Sequence, residues 1–86
     1  MPFDITYKKS VQRDLKKLSK TDAKKLLNKL EKDLTKNADA YPPLKGEFAG
    51  LRKFRVGDYR VIFALIDNNV LILRIQHRRD VYRKRI

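Results

Sequence analysis

Cysteine and tryptophan are absent from this sequence, and histidine occurs once. Without cysteine there is no disulfide framework, no thiolate metal site and no cysteine nucleophile. His77 alone builds no metal site without several carboxylates beside it. Long apolar runs are missing as well. The longest, VIFALI at 61–66, is far short of the roughly 20 residues that cross a bilayer, and the opening MPFDITYKK lacks the apolar core of a signal peptide. The expectation is a cytoplasmic protein with no membrane partner, no metal and no small-molecule cofactor.

Acidic residues are scarce too. Ten Asp and Glu face 22 Lys and Arg, a formal net charge of +12. That balance is the electrostatic footprint of a nucleic-acid binder, although a highly soluble surface would also carry it. With 86 residues, 42% of them hydrophobic, the chain has room for one domain, 1–86, and a modest core.

Residues 3–7, FDITY, alternate apolar and polar as a strand does. Val11, Leu15 and Leu18 then recur on one helix face, and SKTD at 19–22 interrupts the pattern, with Thr21 or Asp22 a suitable cap for a second helix. That helix carries Ala23, Leu26, Leu27, Leu30 and Leu34 on one stripe and lysines elsewhere. NADAYPPLKGEFAG at 37–50 holds two of the three prolines and two of the three glycines and reads as a loop. Three strands follow, near 51–56, 59–66 and 70–76. Gly57-Asp58 suits a two-residue turn, and Asn68-Asn69 suits another. The expected class is α+β: β-α-α-β-β-β, with a helical hairpin on one face of a mostly antiparallel sheet.

The stretch LRKFRVGDYRVIF, residues 51–63, carries four cations in thirteen residues of predicted strand and turn. A two-residue turn at 57–58 pairs Val56 with Tyr59, Arg55 with Arg60, Phe54 with Val61 and Lys53 with Ile62. Paired residues share a face, so Lys53, Arg55 and Arg60 point one way, while Phe54, Val56, Tyr59 and Val61 point toward the helices. Like charges directly opposed destabilise a sheet, and a bound anion offsets that cost. A solvated outer face whose long side chains splay apart is the plainer alternative.

A turn at 68–69 pairs Ile66 with Leu71 and sets His77 opposite Arg60; a shift of one residue brings Gln76 or Arg78 there instead. His77 is the one side chain in the sequence that ordinarily titrates near neutrality, which makes it a candidate general base. The same register leaves Leu71, Leu73 and Ile75 on the cationic face and sends Arg74 to the helix side. The sheet then has no simple wet face.

Three segments, FDITYKKSVQRDLKKL, LKGEFAGLRKFRVGDYRVIF and the ending HRRDVY, in this order and spacing, make the sequence resemble the RelE toxins of the RelE/ParE superfamily over essentially its whole length. The resemblance implies a RelE-like fold and a small ribonuclease that cuts mRNA in the ribosomal A site. The implied chemistry is metal-independent attack of a ribose 2′-hydroxyl on the adjacent phosphorus. It also implies a cognate RelB-like antitoxin. By position, the family's basic strand residues fall on Lys53 and Arg55, the arginine after the next strand's tyrosine on Arg60, the late arginine on Arg78 and the terminal tyrosine on Tyr82. Lys53 is then a candidate base, since a guanidinium keeps its proton. Arg55, Arg60 and Arg78 become a phosphate clamp, and Tyr82 a stacking platform. Arginine at 55 departs from the best-known pattern, which has a second lysine there; Lys53 must act alone or yield to His77. HRRDVY is also shorter than the corresponding segment of well-studied members, so Arg78 and Arg79 compete for one role.

Lys24, Lys25 and Lys29, with Arg52 and Arg79, are candidate contacts to ribosomal RNA or mRNA; solubility alone would also explain helix lysines. Two other classes compete with the ribosome-dependent endonuclease. One is a ParE-like gyrase poison that cuts nothing, and the other is a non-catalytic RNA- or ribosome-binding member of the fold.

Overall fold

The computed structural model describes residues 3–44 and 50–77. The element order is the expected one: β1 (Asp4–Tyr7), α1 (Lys9–Lys16), α2 (Lys20–Asn37) with a 3-10 turn at Ala38–Ala40, β2 (Arg52–Val56), β3 (Tyr59–Ile66) and β4 (Asn69–His77). The sheet runs β1-β4-β3-β2, with β1 parallel to β4 and the other neighbours antiparallel. Both helices pack on one sheet face, α1 against β4 and α2 across β1 and β2. Leu26, Leu30 and Leu34 recur every four residues along α2 and are buried; they meet Phe54, Val61, Phe63, Val70 and Ile72 from the sheet. Val11 anchors α1 in the same core, and Leu15 and Leu18 pack beside it half-buried.

The cap of α2 is Ser19, two residues before Thr21 and three before Asp22. Ser19 adopts extended backbone, and its hydroxyl accepts a 3.1 Å bond from the Asp22 amide. Ser at the cap with an acid three residues on satisfies an orphan helix donor and places negative charge at the positive helix end. Ser19→Ala is expected to lower stability by about 1 kcal/mol, whereas Thr21→Ala stays within about 0.5 kcal/mol. Thermal unfolding of the two variants checks this.

The β2–β3 hairpin has the expected register, residue for residue, from Val56 opposite Tyr59 to Lys53 opposite Ile62. Gly57 stands at φ +56 in its turn, the left-handed region that a side chain disfavours. The β3–β4 hairpin differs from expectation. Its turn is Asp67-Asn68, with Asp67 at φ +53, so Ile66 pairs with Asn69 and not with Leu71. The pairing then slips: Phe63 faces Ile72, while Ile62 faces Arg74, leaving Leu73 as the extra residue of a β-bulge. The bulge reverses facing for the rest of β4. Ile75 turns into the core opposite Val61, and Arg74 turns out to the helix-free side. The conflict between the strand's apolar residues and its arginine disappears by this route. Val70, Ile72 and Ile75 are all buried, although an unbroken strand cannot point both 72 and 75 inward.

Beyond Ile72 the parallel ladder with β1 ends, and α1 takes over that edge. The Lys8 amide donates to the Ile72 carbonyl at 2.9 Å, and the Ser10 hydroxyl donates to the Leu73 carbonyl at 2.7 Å. The buried Asp14 carboxylate accepts the Ile75 amide at 2.9 Å and the Arg74 guanidinium at 3.0 and 3.3 Å. A strand edge that would otherwise be left unpaired in the fold is therefore closed by the Lys8 backbone amide and the side chains of Ser10 and Asp14.

Candidate phosphate-binding face

Alternation in two paired strands puts the cations together. Arg55 and Arg60 are directly opposed across β2 and β3, and Gln76 sits opposite Arg60 on β4. The neighbouring row is Lys53, Ile62 and Arg74. Four cations thus occupy adjoining strand positions of the helix-free face, although the Arg74 guanidinium itself is turned to Asp14 of α1, and antiparallel partners stand about 5 Å apart at Cα. Lys53 and Arg55 are exposed, while Arg60, Arg74 and Gln76 are half-buried. Among the described residues, Arg74 has an acid partner, Asp14; Lys53, Arg55 and Arg60 have none. An arginine pair directly opposed with no acid between them is costly in a folded sheet, and an anion with several acceptor oxygens removes that cost.

Sequence reasoning finds Lys53, Arg55 and Arg60 because Gly57-Asp58 fixes their register. It misses Arg74, which a plain strand sends to the helix side. The signal was the odd spacing of Ile72 and Ile75, which only a bulge can accommodate on one face.

His77 is not opposite Arg60. It pairs with Tyr59, on the helix side of the sheet, where the two rings meet edge to face at 5.0 Å between centroids. The register that gathers Arg60 and His77 onto one face fails because the turn, one residue earlier than expected, and the bulge together shift this end of β4 by one position. Gln76, the alternative neighbour, takes the place. Arg78, Arg79 and Tyr82 lie outside the described residues.

Arg52 falls on the helix side of β2, opposite Phe63. Its guanidinium donates to the backbone carbonyls of Tyr41 and, at 3.4 Å, Asp39, and so ties β2 to the end of the helical hairpin. Lys24, Lys25 and Lys29 are exposed on α2. At about 100° per residue, Lys25 and Lys29 share a stripe with Lys32 and Lys36, and Lys24 lies about 100° round from Lys25. No group of metal-ligating side chains gathers among the described residues, and no helix among them is long and apolar enough to cross a membrane.

This architecture has relatives. Residues 5–82 match the family model of the ParE toxin of type II toxin–antitoxin systems. Toxin RelG of Mycobacterium tuberculosis is 32% identical over 87 residues, covering 98% of this chain and 100% of its own length. The toxin–antitoxin complex RelBE2 of the same organism matches with a TM-score of 0.81 at 29% identity, over 91% of this chain and 100% of that one. Escherichia coli RelE, in complex with a peptide of its antitoxin, shares the fold at a TM-score of 0.70 and 20% identity, over 100% and 96% of the two chains.

Proposed function

We infer an activity from one premise: this chain belongs to the ParE toxin family of type II toxin–antitoxin systems and is a RelE-type toxin of the RelE/ParE superfamily. The activity is ribosome-dependent mRNA cleavage, in which Lys53, Arg55 and Arg60 hold and react one phosphodiester. The observation that carries the reading is the Arg55–Arg60 pair, directly opposed beside Lys53 with no acid partner among the described residues.

On this reading the 2′-hydroxyl of the nucleotide 5′ to the cut attacks phosphorus. A P–O bond to the 2′-oxygen forms and the bond to the 5′-oxygen breaks; the departing 5′-oxygen takes a proton from water, giving a cyclic phosphate and a 5′-hydroxyl end. In its free-amine form Lys53 is the group on the cationic face able to take the 2′ proton, because its arginine neighbours keep theirs. Arg55 and Arg60 donate to the non-bridging oxygens, where charge grows in the transition state. Arg78, or Arg79, adds to this clamp, and Tyr82 stacks on a base to hold the in-line geometry. The helix-side position of His77 makes it the lesser candidate for the base. A cognate RelB-like antitoxin is the proposed protein partner, supported by the antitoxin complexes of the relatives.

The test is single-turnover cleavage of mRNA on programmed ribosomes, with a 2′-deoxynucleotide at the attacking position. Loss of cleavage at that site alone supports the chemistry; undiminished cleavage there overturns it. Lys24, Lys25 and Lys29 serve docking on ribosomal RNA. Their joint reversal to Glu is expected to slow ribosome-dependent cleavage about tenfold at low salt and less at physiological salt. Equal rates at both salt concentrations contradict the docking role.

A second reading, gyrase poisoning, draws on the ParE family match. It needs no convergence of Lys53 and Arg60 on a phosphate. Supercoiling assays with purified gyrase separate the two.

A further inference from the structure

The cations of the helix-free face fall into two sets. Lys53, Arg55 and Arg60 stand on β2 and β3 with no acid partner among the described residues, whereas Arg74 stands on β4 and is held by Asp14. Lys53 and Arg74 flank Ile62 in one row, about 10 Å apart across two strand spacings. Arg60 lies diagonal to Arg74, at about 7–8 Å. Ile62 is only 7% exposed, so the floor between the two sets is a packed apolar side chain.

Long cationic side chains can converge on one anion across such a gap, but Arg74 is not free to do so. Its Nε–H and an Nη2–H donate to the two oxygens of the buried Asp14 carboxylate at 3.0 and 3.3 Å. The same carboxylate is fixed by the Ile75 amide at 2.9 Å, on the edge of β4 where the ladder with β1 has ended. The guanidinium is therefore drawn toward α1 and away from Lys53. A guanidinium has five N–H donors, and those not given to Asp14 have no partner among the described residues. The side chain is 41% exposed. Arg74 thus combines a fixed plane with uncommitted donors open to solvent, an arrangement that grips a phosphate with little loss of side-chain freedom.

The difference in charge compensation gives the two sets different tasks. A reacting phosphate gains negative charge in the transition state, and uncompensated cations answer that gain. A neighbouring phosphate keeps one charge throughout, so its site binds ground and transition states equally. An arginine already paired with an acid offers donors in fixed positions with little net field, which suits the second task. We propose that Arg74 forms a second phosphate subsite, which takes a phosphodiester next to the scissile one on the same RNA strand. Asp14 is the positioning residue that holds it ready. The effect on cleavage rests on the cleavage reading; the subsite itself needs only an RNA strand lying across this face.

The experiment uses the full chain with a dinucleotide, which has one phosphodiester, and a trinucleotide, which has two. Neither has terminal phosphates, and each is 2′-deoxy at every nucleotide 5′ to a phosphate, so neither is cleaved. Amide and arginine Nε–H resonances are followed during titration at low salt. Single-turnover cleavage on programmed ribosomes is measured in parallel, below and at saturating protein. The trinucleotide is expected to bind about tenfold more tightly than the dinucleotide, with a shift at the Arg74 Nε–H. Arg74→Gln brings the two affinities within about twofold of each other. It also lowers cleavage about fivefold below saturation and less than about twofold at saturation. Asp14→Asn keeps an acceptor for the Ile75 amide but releases Arg74, and lowers the trinucleotide preference about threefold; a merely unstable fold weakens both ligands alike. Equal binding of the two ligands by the unsubstituted protein, a preference that survives Arg74→Gln, or no trinucleotide binding at millimolar concentration overturns the subsite. A loss in Arg74→Gln as large at saturation as below it puts Arg74 on the scissile phosphate and also overturns the subsite. An unchanged rate in Arg74→Gln overturns its part in cleavage, and a full preference in Asp14→Asn overturns only the positioning role. Absent cleavage with the preference intact overturns the nuclease reading and leaves the subsite standing.

Discussion

Arg60→Ala is expected to cut the rate of mRNA cleavage on programmed ribosomes by about two to three orders of magnitude, the effect of removing one preorganised donor from a developing negative charge. Ribosome affinity should change only several-fold, because one phosphate contact among many is lost. The asymmetry is the point. Arg60 lies on the middle strand pair with Arg55 on one side and Gln76 on the other, so its position is held by two ladders. Exposed Lys53 and Arg55 sit on the edge strand and have more freedom. In a non-catalytic binder, the same substitution weakens binding and any downstream effect in equal proportion. Equilibrium binding to ribosomes, measured beside single-turnover cleavage at one salt concentration, separates the two cases. Lys53→Ala should match Arg60→Ala in cleavage if Lys53 takes the proton, and His77→Ala should leave most of the rate intact.

Asp14→Ala is expected to destabilise the fold by about 2–3 kcal/mol, the range for losing hydrogen bonds to a buried charge, discounted because Arg74 is partly exposed. For a domain of this size, that corresponds to a fall in Tm on the order of 10–20 °C. The Arg74 side chain is 41% exposed and can be rehydrated, whereas the Ile75 amide lies in a buried stretch of β4 and loses its acceptor. Arg74→Ala should therefore cost clearly less, about 1 kcal/mol. Asp14→Asn should fall between, since an amide oxygen can still accept from Ile75. If Arg74→Ala proves as damaging as Asp14→Ala, the ion pair matters more than the edge closure. Calorimetric unfolding of the three variants decides it.

The hairpin at 52–66 was legible because its turn chemistry is explicit: a glycine able to take positive φ, flanked by alternating apolar residues, leaves a single register. Three of the four cations on the helix-free face follow from that register alone. The next hairpin was not legible. Asp67, Asn68 and Asn69 can all serve a turn, and the choice of Asp67-Asn68 is favoured by long-range contacts: the Asp4 amide donates to the Asn68 carbonyl, and Thr6 bonds Asn69. The bulge at Leu73 depends equally on tertiary structure, since α1 must satisfy what the ladder drops. Its trace is nonetheless present in the sequence. Asp14 falls three residues after Val11, on the apolar face of α1, where a carboxylate needs a partner from elsewhere. The pairing of Ser19 with Asp22 was likewise visible as a capping pattern two or three residues before the expected caps Thr21 and Asp22.

The central claim is that the cationic face cleaves mRNA, and that it does so in the ribosomal A site. Primer extension on an mRNA incubated with the purified protein, with and without programmed ribosomes, tests it most directly. The account predicts a new 5′ end inside the A-site codon only when ribosomes are present, unchanged by EDTA treatment of the protein and lost with Arg60→Ala. A folded preparation that yields no new end under either condition, while inhibiting gyrase, would contradict it.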